Sequence, residues 1–252
     1  MGPLLQEEGR DVVSDILLDE HLAAAVLRPV RGHHAFEACV ERLATSIRLG
    51  VYEQGSTLPP ERELAEHMGV SRATLREAIA ALREAGLVVT RRGRGGGTVV
   101  DHRPDEPGSR TLQRPLAELL DALEFRRIVE PGAAQAVAAI DLGDAQASML
   151  RAALAKVDDA TSKALHRQAD SQLHLAIASL TGSPMLLDAV TTVQMCLHDM
   201  LDAIPVLDRN IEHSREQHGA IVRAILDGDG DGARLTMERH CDDTAALLRG
   251  LL

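Results

Sequence analysis

The sequence predicts a mainly α-helical protein in two parts: an N-terminal winged helix-turn-helix over residues 34–100 and a C-terminal all-helical bundle of six to seven helices over residues 111–252. Three observations predict it. Residues 58–98 read as two short helices around a tight turn, followed by a glycine-tipped β-hairpin. From Leu112 onward only helical spacing is found. The composition, with two Phe, one Tyr, no Trp and abundant Ala and Leu, suits packed helices better than sheets.

In chain order, residues 1–33 form an acidic extension, with three Arg against six Asp plus Glu. The stretch Val12 to Leu27 could form a short amphipathic helix, but partial disorder is the expectation for this extension. Phe36, Val40, Leu43 and Ile47 then recur as a core-facing helical stripe, closed by Gly50. Pro60 suits the first turn of a helix that carries Leu64, Ala65 and Met68 on one side and stops at Gly69. Ser71 caps a second helix with Leu75, Ala78, Ile79 and Leu82 inward, stopped by Gly86. Leu87 to Thr90 reads as a strand, Arg91 to Gly97 as a turn, and Thr98 to Val100 as the returning strand.

Residues 101–110, DHRPDEPGSR, lack periodicity and mark a linker. Beyond it a long helix is expected from about 115 to 140, with a bend at Pro131. Further helices are expected near 143–158, 161–180, 184–203, 208–226 and 231–250. Their separators are Thr181-Gly182-Ser183-Pro184, Pro205 and Asp227-Gly228-Asp229-Gly230. The last resembles part of a calcium loop but lacks the full spacing and the distal Glu, so it reads as a polar turn.

The second helix of the pair exposes Arg72, Ala73, Thr74 and Arg76 at its N-terminal end. That end of a helix meets base edges in the major groove, where Arg and Thr are suitable readers. Solvated arginines on an ordinary helical hairpin are the alternative, but turn, cap, basic tip and wing occur in order. The net charge of −11 is unevenly divided: residues 34–100 carry nine Arg against eight acidic residues, whereas residues 110–252 carry 14 basic against 21 acidic. A local basic patch therefore survives on an acidic chain. So few aromatic rings argue against base stacking, which leaves duplex DNA favoured over single strands or RNA. Cys39, Cys196 and Cys241 have neither disulfide nor metal-ribbon spacing and read as reduced helix residues. No stretch has the length of a membrane span and no secretory pattern opens the chain, so a cytoplasmic location is expected.

Asp170 and His174 stand four apart, one turn from each other on the same helix face. His218 is eleven residues before Asp229 and His240 eleven after it, so a helical hairpin turning there brings them level. One Asp and three His suit a divalent transition ion such as Zn²⁺, Ni²⁺ or Mn²⁺. By spacing alone, satisfied or surface histidines stay open as the alternative, because eleven histidines offer many accidental pairs. His166 lies on the same face as Asp170 and reads as a neighbour of the ligands or as solvated; His198 and His213 are set aside.

Residues 34–100 resemble the DNA-binding domain of the GntR family of bacterial transcription regulators, through Pro60, Glu61-Arg62-Glu63-Leu64-Ala65, Gly69-Val70-Ser71-Arg72 and Leu75-Arg76-Glu77-Ala78. The resemblance implies that Arg62, Arg72 and Arg76 contact bases or phosphates and that Ser71 and Thr74 hold phosphates. It also implies that Arg92 with Gly93 forms a wing tip in the minor groove, while Ala73 offers only a methyl contact. Residues 112–252 resemble the helical ligand-binding (FCD) domain of the FadR-like branch, in its metal-containing subgroup. The matching residues are Asp170, His174, His218 with Ile221, Ala224, Ile225, Gly228 and Asp229, and His240. Ser183 departs from the family's frequent Asn after Thr-Gly.

The family's Glu-x-Arg-x-x-x-Glu pattern occurs as Glu124, Arg126 and Glu130. By it Arg126 meets an effector carboxylate, with a salt bridge inside the bundle as the other reading. The resemblance thus implies a ligand-responsive regulator, a repressor, that binds a palindromic DNA operator as a homodimer. Its effector would be a small organic acid bound to the metal. The rivals are a structural or itself sensed metal, an acyl-CoA effector, and a metal-dependent enzyme; no general base or nucleophile accompanies the four ligand-like residues.

Overall fold

The computed structural model describes residues 35–93, 97–102, 115–204 and 208–251. The N-terminal extension, the wing tip at 94–96 and most of the expected linker lie outside the described residues. The first helix, α1 (Ala35–Arg48), turns Cys39, Leu43 and Ile47 inward at intervals of four, with Phe36 and Val40 half-buried. Helix α2 (Glu61–Met68) follows Pro60 and ends at Gly69, whose φ of 66° is the left-handed conformation that glycine adopts without steric cost. Helix α3 (Arg72–Glu84) begins at Ser71, whose Oγ accepts from the Thr74 backbone N–H at 3.0 Å. Its Leu75, Ala78, Ile79 and Leu82 are buried, as the spacing predicts.

Strands β1 (Val88–Arg91) and β2 (Gly97–Val100) pair antiparallel, with Val88 opposite Val100 and Arg91 opposite Gly97. The chain before α2 adds a third short segment, because Leu58 donates to the Thr98 carbonyl at 2.8 Å and Thr57 bridges Val99. Leu43, Ile47, Leu64, Leu75, Ile79 and Val100 close one core beneath these elements.

Six helices form the second part among the described residues: α4 (Leu116–Ala138), α5 (Asp144–Asp158), α6 (Lys163–Leu180), α7 (Pro184–Asp202), α8 (Asp208–Leu226) and α9 (Gly230–Leu251). Pro131 lies inside α4 and is buried. One core gathers Ala134, Val137, Leu150, Leu173, Ile177 and Ile221; another gathers Leu119, Leu123, Leu197, Met200, Ile204 and Leu248. Ser183 supplies the cap that Asn often provides, its Oγ accepting from Leu186 N–H at 3.3 Å. At the α8–α9 turn Asp229 Oδ1 accepts from Gly232 N–H at 2.9 Å, so this acidic turn caps a helix. The three cysteines are free and buried, and no helix among the described residues is long and apolar enough to cross a membrane.

The two parts meet where α1 ends against α6. Gln168 Nε2 donates to the Arg48 carbonyl at 3.1 Å and Gln172 Nε2 to the Gly50 carbonyl at 2.6 Å, while Lys156 Nζ pairs with Glu53 at 2.5 Å. Carbonyls at a helix C-terminus have no partner within the helix, so the two glutamines satisfy groups that otherwise need water. Gly50 has φ 73°, and a Cβ there would stand 2.7 Å from Gln172 Nε2. Gly50→Ala is therefore expected to destabilise the chain by about 1–2 kcal/mol through the left-handed backbone, with added strain from Gln172. Urea denaturation measures this; a midpoint equal to wild type would show that the junction yields freely.

Candidate functional site

The helical hairpin of α8 and α9 carries His218 and His240 to the level of Asp170 and His174 on α6, and the four ligand atoms lie within 4.8 Å of one another. The three imidazoles form a tight group, with ring centroids 4.5 Å apart for His218 and His240, 5.2 Å for His174 and His240, and 5.4 Å for His174 and His218. All three are buried. His218 Nε2 is 3.3 Å from Asp170 Oδ1, but neither nitrogen of His218 makes a hydrogen bond. His174 Nε2 and His240 Nε2 are likewise buried without partners.

Unpaired buried polar atoms cost about 1–3 kcal/mol each, so a group of them turned toward one point fits a bound cation. Donors up to 4.8 Å apart would have to draw together, each by less than about 1 Å, to reach ligand distances of about 2.0–2.2 Å. Protonation also suits a metal. Burial pushes the His218 imidazole down to about 4, against the pull of Asp170, and burial likewise pushes His240 well down. Both offer a free lone pair near neutral pH. Burial would raise the Asp170 carboxyl, but His218, His174, His166 and Arg126 hold it below its usual value. His240 Nδ1 lies 3.1 Å from Gln217 Oε1, and Gln217 Nε2 donates to Asp243 at 2.7 Å. That relay assigns the proton of His240 to Nδ1 and leaves Nε2 facing the cluster.

Beside the cluster is a cavity of about 130 Å³, lined by Arg126, Arg167, Asp170, Asn210, His240 and Thr244 among others. Arg126 is buried, and its Nε donates to Glu130 Oε2 at 2.8 Å. Its Nη1 and Nη2 have no partner. The two readings of this arginine are therefore compatible: one edge makes a salt bridge within the bundle and the other remains available to an anion. His166 is buried with Nδ1 3.4 Å from the Val157 carbonyl, outside the four-residue cluster. His198 approaches Asp202 at 3.3 Å, and the exposed His213 approaches Asp243 at 3.1 Å. Spacing did not single out Gln217, Asn210 or Arg167, whose Nη1 donates to Asp202 at 2.9 Å. Contacts between distant helices leave no local periodic signal.

On the N-terminal part, Arg62, Ser71, Arg72, Ala73, Arg76, Arg92 and Gly93 are exposed and Thr74 is half-buried. The Ser71 and Thr74 hydroxyls are 2.8 Å apart, which fixes the entry to α3. Arg76 differs from Arg72: its Nε is bound to Glu61 at 2.7 Å, tying α3 to α2. Arg62, Arg72 and Arg92 have no such ion pair among the described residues.

Residues 36–100 match the family described as bacterial regulatory proteins, gntR family, and residues 121–243 match the FCD domain. The chain is similar, at 35% identity over 213 residues, to the "Putative L-lactate dehydrogenase operon regulatory protein" of Escherichia coli (strain K12), covering 75% of this chain and 76% of that one. It is 30% identical over 244 residues to the HTH-type transcriptional repressor NanR of Citrobacter rodentium (strain ICC168), covering 89% of each. Among solved structures, E. coli McbR/YncC shares the fold with a TM-score of 0.50 at 17% identity, over 86% of this chain and 98% of that one.

Proposed function

Because the chain belongs to the GntR family of bacterial regulatory proteins and is a ligand-responsive, DNA-binding transcription regulator, we propose that a divalent cation and a small organic acid together form its signal. The cation is held by Asp170, His174, His218 and His240, and the carboxylate of the acid meets Arg126. The observation that carries this reading is that Arg126, with two unpaired guanidinium nitrogens, lines one cavity with Asp170 and His240, two members of the cluster whose imidazole nitrogens are left unpaired. When bound, the cation supplies a positive charge and open coordination positions for an anion's oxygens. Arg126 supplies a flat, forked pair of donors. The cavity volume of about 130 Å³ favours an acid of a few carbons over an acyl-CoA, since drug-sized ligands occupy roughly 300–1,000 Å³.

DNA is read by Arg62, Arg72 and Arg76, with Ser71 and Thr74 on phosphates, a methyl contact from Ala73, and Arg92 with Gly93 at the wing. One such unit covers a half-site, so a homodimer on a palindromic operator supplies affinity and register. Supporting self-association, α4 exposes Leu116, Leu120, Phe125 and Ile128, the last 71% exposed. Helix α6 gives the signal a short route. Asp170 and His174 occupy one face, and Gln168 and Gln172, offset by two positions, point the other way onto the end of α1. Any displacement of α6 by the acid moves the reading head, and linkage then requires DNA to change the acid's affinity by the same factor. Repression is the favoured direction, given a relative named as a repressor.

The test is the melting temperature of Zn²⁺-loaded protein with acetate, longer monocarboxylates and an acyl-CoA. A small carboxylate is expected to raise it by several degrees, roughly the effect of 1–3 kcal/mol on a chain of this size. Arg126→Lys keeps the charge opposite Glu130 but loses the forked donors, and is expected to abolish the shift. A response to acyl-CoA alone, or an undiminished response in Arg126→Lys, would sink the reading.

A further inference from the structure

Glu130 is neither a ligand of the cluster nor a donor to an anion, yet both halves of the site converge on it. It is 2% exposed. Its Oε2 accepts from Arg126 Nε at 2.8 Å, lies 3.0 Å from His174 Nδ1 and receives Cys241 Sγ at 3.6 Å. Its Oε1 accepts from Gln194 Nε2 at 2.6 Å. Burial alone would raise this carboxyl, but the neighbouring Arg126 and His174, with the hydrogen bond from Gln194, hold it well below the usual carboxylate range. The group is thus an anion in a dry interior, a state that costs several kcal/mol unless partners satisfy it.

A carboxylate beside one imidazole nitrogen favours the proton on that nitrogen and leaves the other as the electron pair donor. At His174 the nitrogen beside Glu130 is Nδ1, so the electron-pair donor is Nε2, which is buried and makes no hydrogen bond. The Nδ1 contact is short, 3.0 Å, but is not aligned as a hydrogen bond. His240 is handled differently, by the neutral amide oxygen of Gln217. Glu130 Oε2 engages Arg126 through Nε only, which leaves Nη1 and Nη2 unspent.

We propose that Glu130 is the positioning residue shared by the two halves of the site: it orients His174 toward the cation and Arg126 toward the anion. This rests on the metal-and-carboxylate reading above and adds that the two ligands are coupled through one side chain. Gln194 anchors the far oxygen and keeps the carboxylate from swinging wholly to Arg126. A simpler role, neutralising Arg126 alone, predicts no effect on the cation.

The full-length chain, Glu130→Gln and Gln194→Leu are compared in three measurements. These are Zn²⁺ affinity by competition with a chromophoric chelator, imidazole tautomers of the metal-free, [¹⁵N]histidine-labelled protein by NMR, and the acetate-induced melting shift at saturating Zn²⁺. Glu130→Gln is expected to weaken Zn²⁺ binding about 10–100-fold, the range for loss of a partner behind a metal ligand. Because Gln194 Nε2 holds the amide oxygen, the new NH2 faces His174 Nδ1, so the variant is also expected to lose the Nδ1–H tautomer of His174 and the acetate shift. A bulk loss of structure would not move one tautomer selectively. The inference stands only if all three change; a smaller loss of Zn²⁺ affinity, an unchanged tautomer or a retained acetate shift overturns it. Should Glu130→Gln fail to fold, Gln194→Leu decides, with unchanged Zn²⁺ affinity overturning the proposal and a several-fold loss upholding it. A wild-type chain that binds no Zn²⁺ overturns the metal reading as well, whereas equal binding by wild type and Glu130→Gln overturns this inference alone.

Discussion

Protein purified without added metal is expected to carry about one divalent ion per chain, and the paired changes His218→Ala and His240→Ala are expected to remove it. Four donors from three helices converge, and two of them come from the α8–α9 hairpin. Removing both leaves only Asp170 and His174, a pair one turn apart on a single helix, too few to hold an ion against dilution and chelators. A bound ion present at 100 times its dissociation constant stabilises the fold by about 2.7 kcal/mol, so chelation should lower the wild-type melting temperature by roughly 5–10 °C.

The double variant should melt at one temperature with or without chelator. That difference separates metal loss from the cavities left by two imidazoles, since a cavity lowers stability equally under both conditions. Elemental analysis reads the ion directly, and an unchanged content in the double variant would place the ligands elsewhere. One carboxylate and three imidazoles discriminate poorly among transition ions, so competition should follow intrinsic affinity, with Ni²⁺ displacing Mn²⁺ readily.

The cluster was legible in the sequence because each of its parts is set by helical geometry. Asp170 and His174 are i and i+4 on α6, and equal distances from Asp229 bring His218 and His240 level once the chain reverses at Gly228, which has φ 72°. Element bounds were legible for a similar reason: Pro184 opens α7, Gly69 ends α2, and a polar turn separates α8 from α9. Contacts made by long side chains across the bundle were not. Gln194 reaches Glu130 over 64 positions and Cys241 reaches it over 111, and no periodicity relates residues so far apart. His166 shows the converse. It is four before Asp170 on the same face, yet its Nδ1 turns to the Val157 carbonyl because α5 packs there. Arg126 was framed as a choice between salt bridge and ligand contact, but a guanidinium has two edges, and here only one is engaged.

Arg72→Ala is expected to weaken operator binding far more than it weakens the fold. Arg72 is the first residue of α3, exposed, and remote from the buried Leu75, Ala78, Ile79 and Leu82 stripe, so its removal should cost within about 0.5 kcal/mol of stability. A bidentate arginine contact to guanine supplies about 1–3 kcal/mol of discrimination. In a homodimer on a palindrome the contact is made twice, and well-separated positions add, so the operator should lose about 2–6 kcal/mol, roughly 30-fold to 10⁴-fold in affinity. Arg76→Ala should cost less operator affinity, because Arg76 Nε is already engaged by Glu61 and only its remaining donors are free for DNA. The acidic remainder of the chain sharpens the measurement. With a net charge of −11, background binding to arbitrary duplex should be weak, so that specific contacts carry most of the affinity. Fluorescence anisotropy on an operator selected from a random duplex library, with scrambled duplex as control, distinguishes the roles. A loss confined to one position of each half-site assigns Arg72 to a base edge. An equal loss on scrambled DNA, with the salt dependence reduced by about one counterion per chain, would assign it to a phosphate and move sequence reading to other residues of α3 or to the wing.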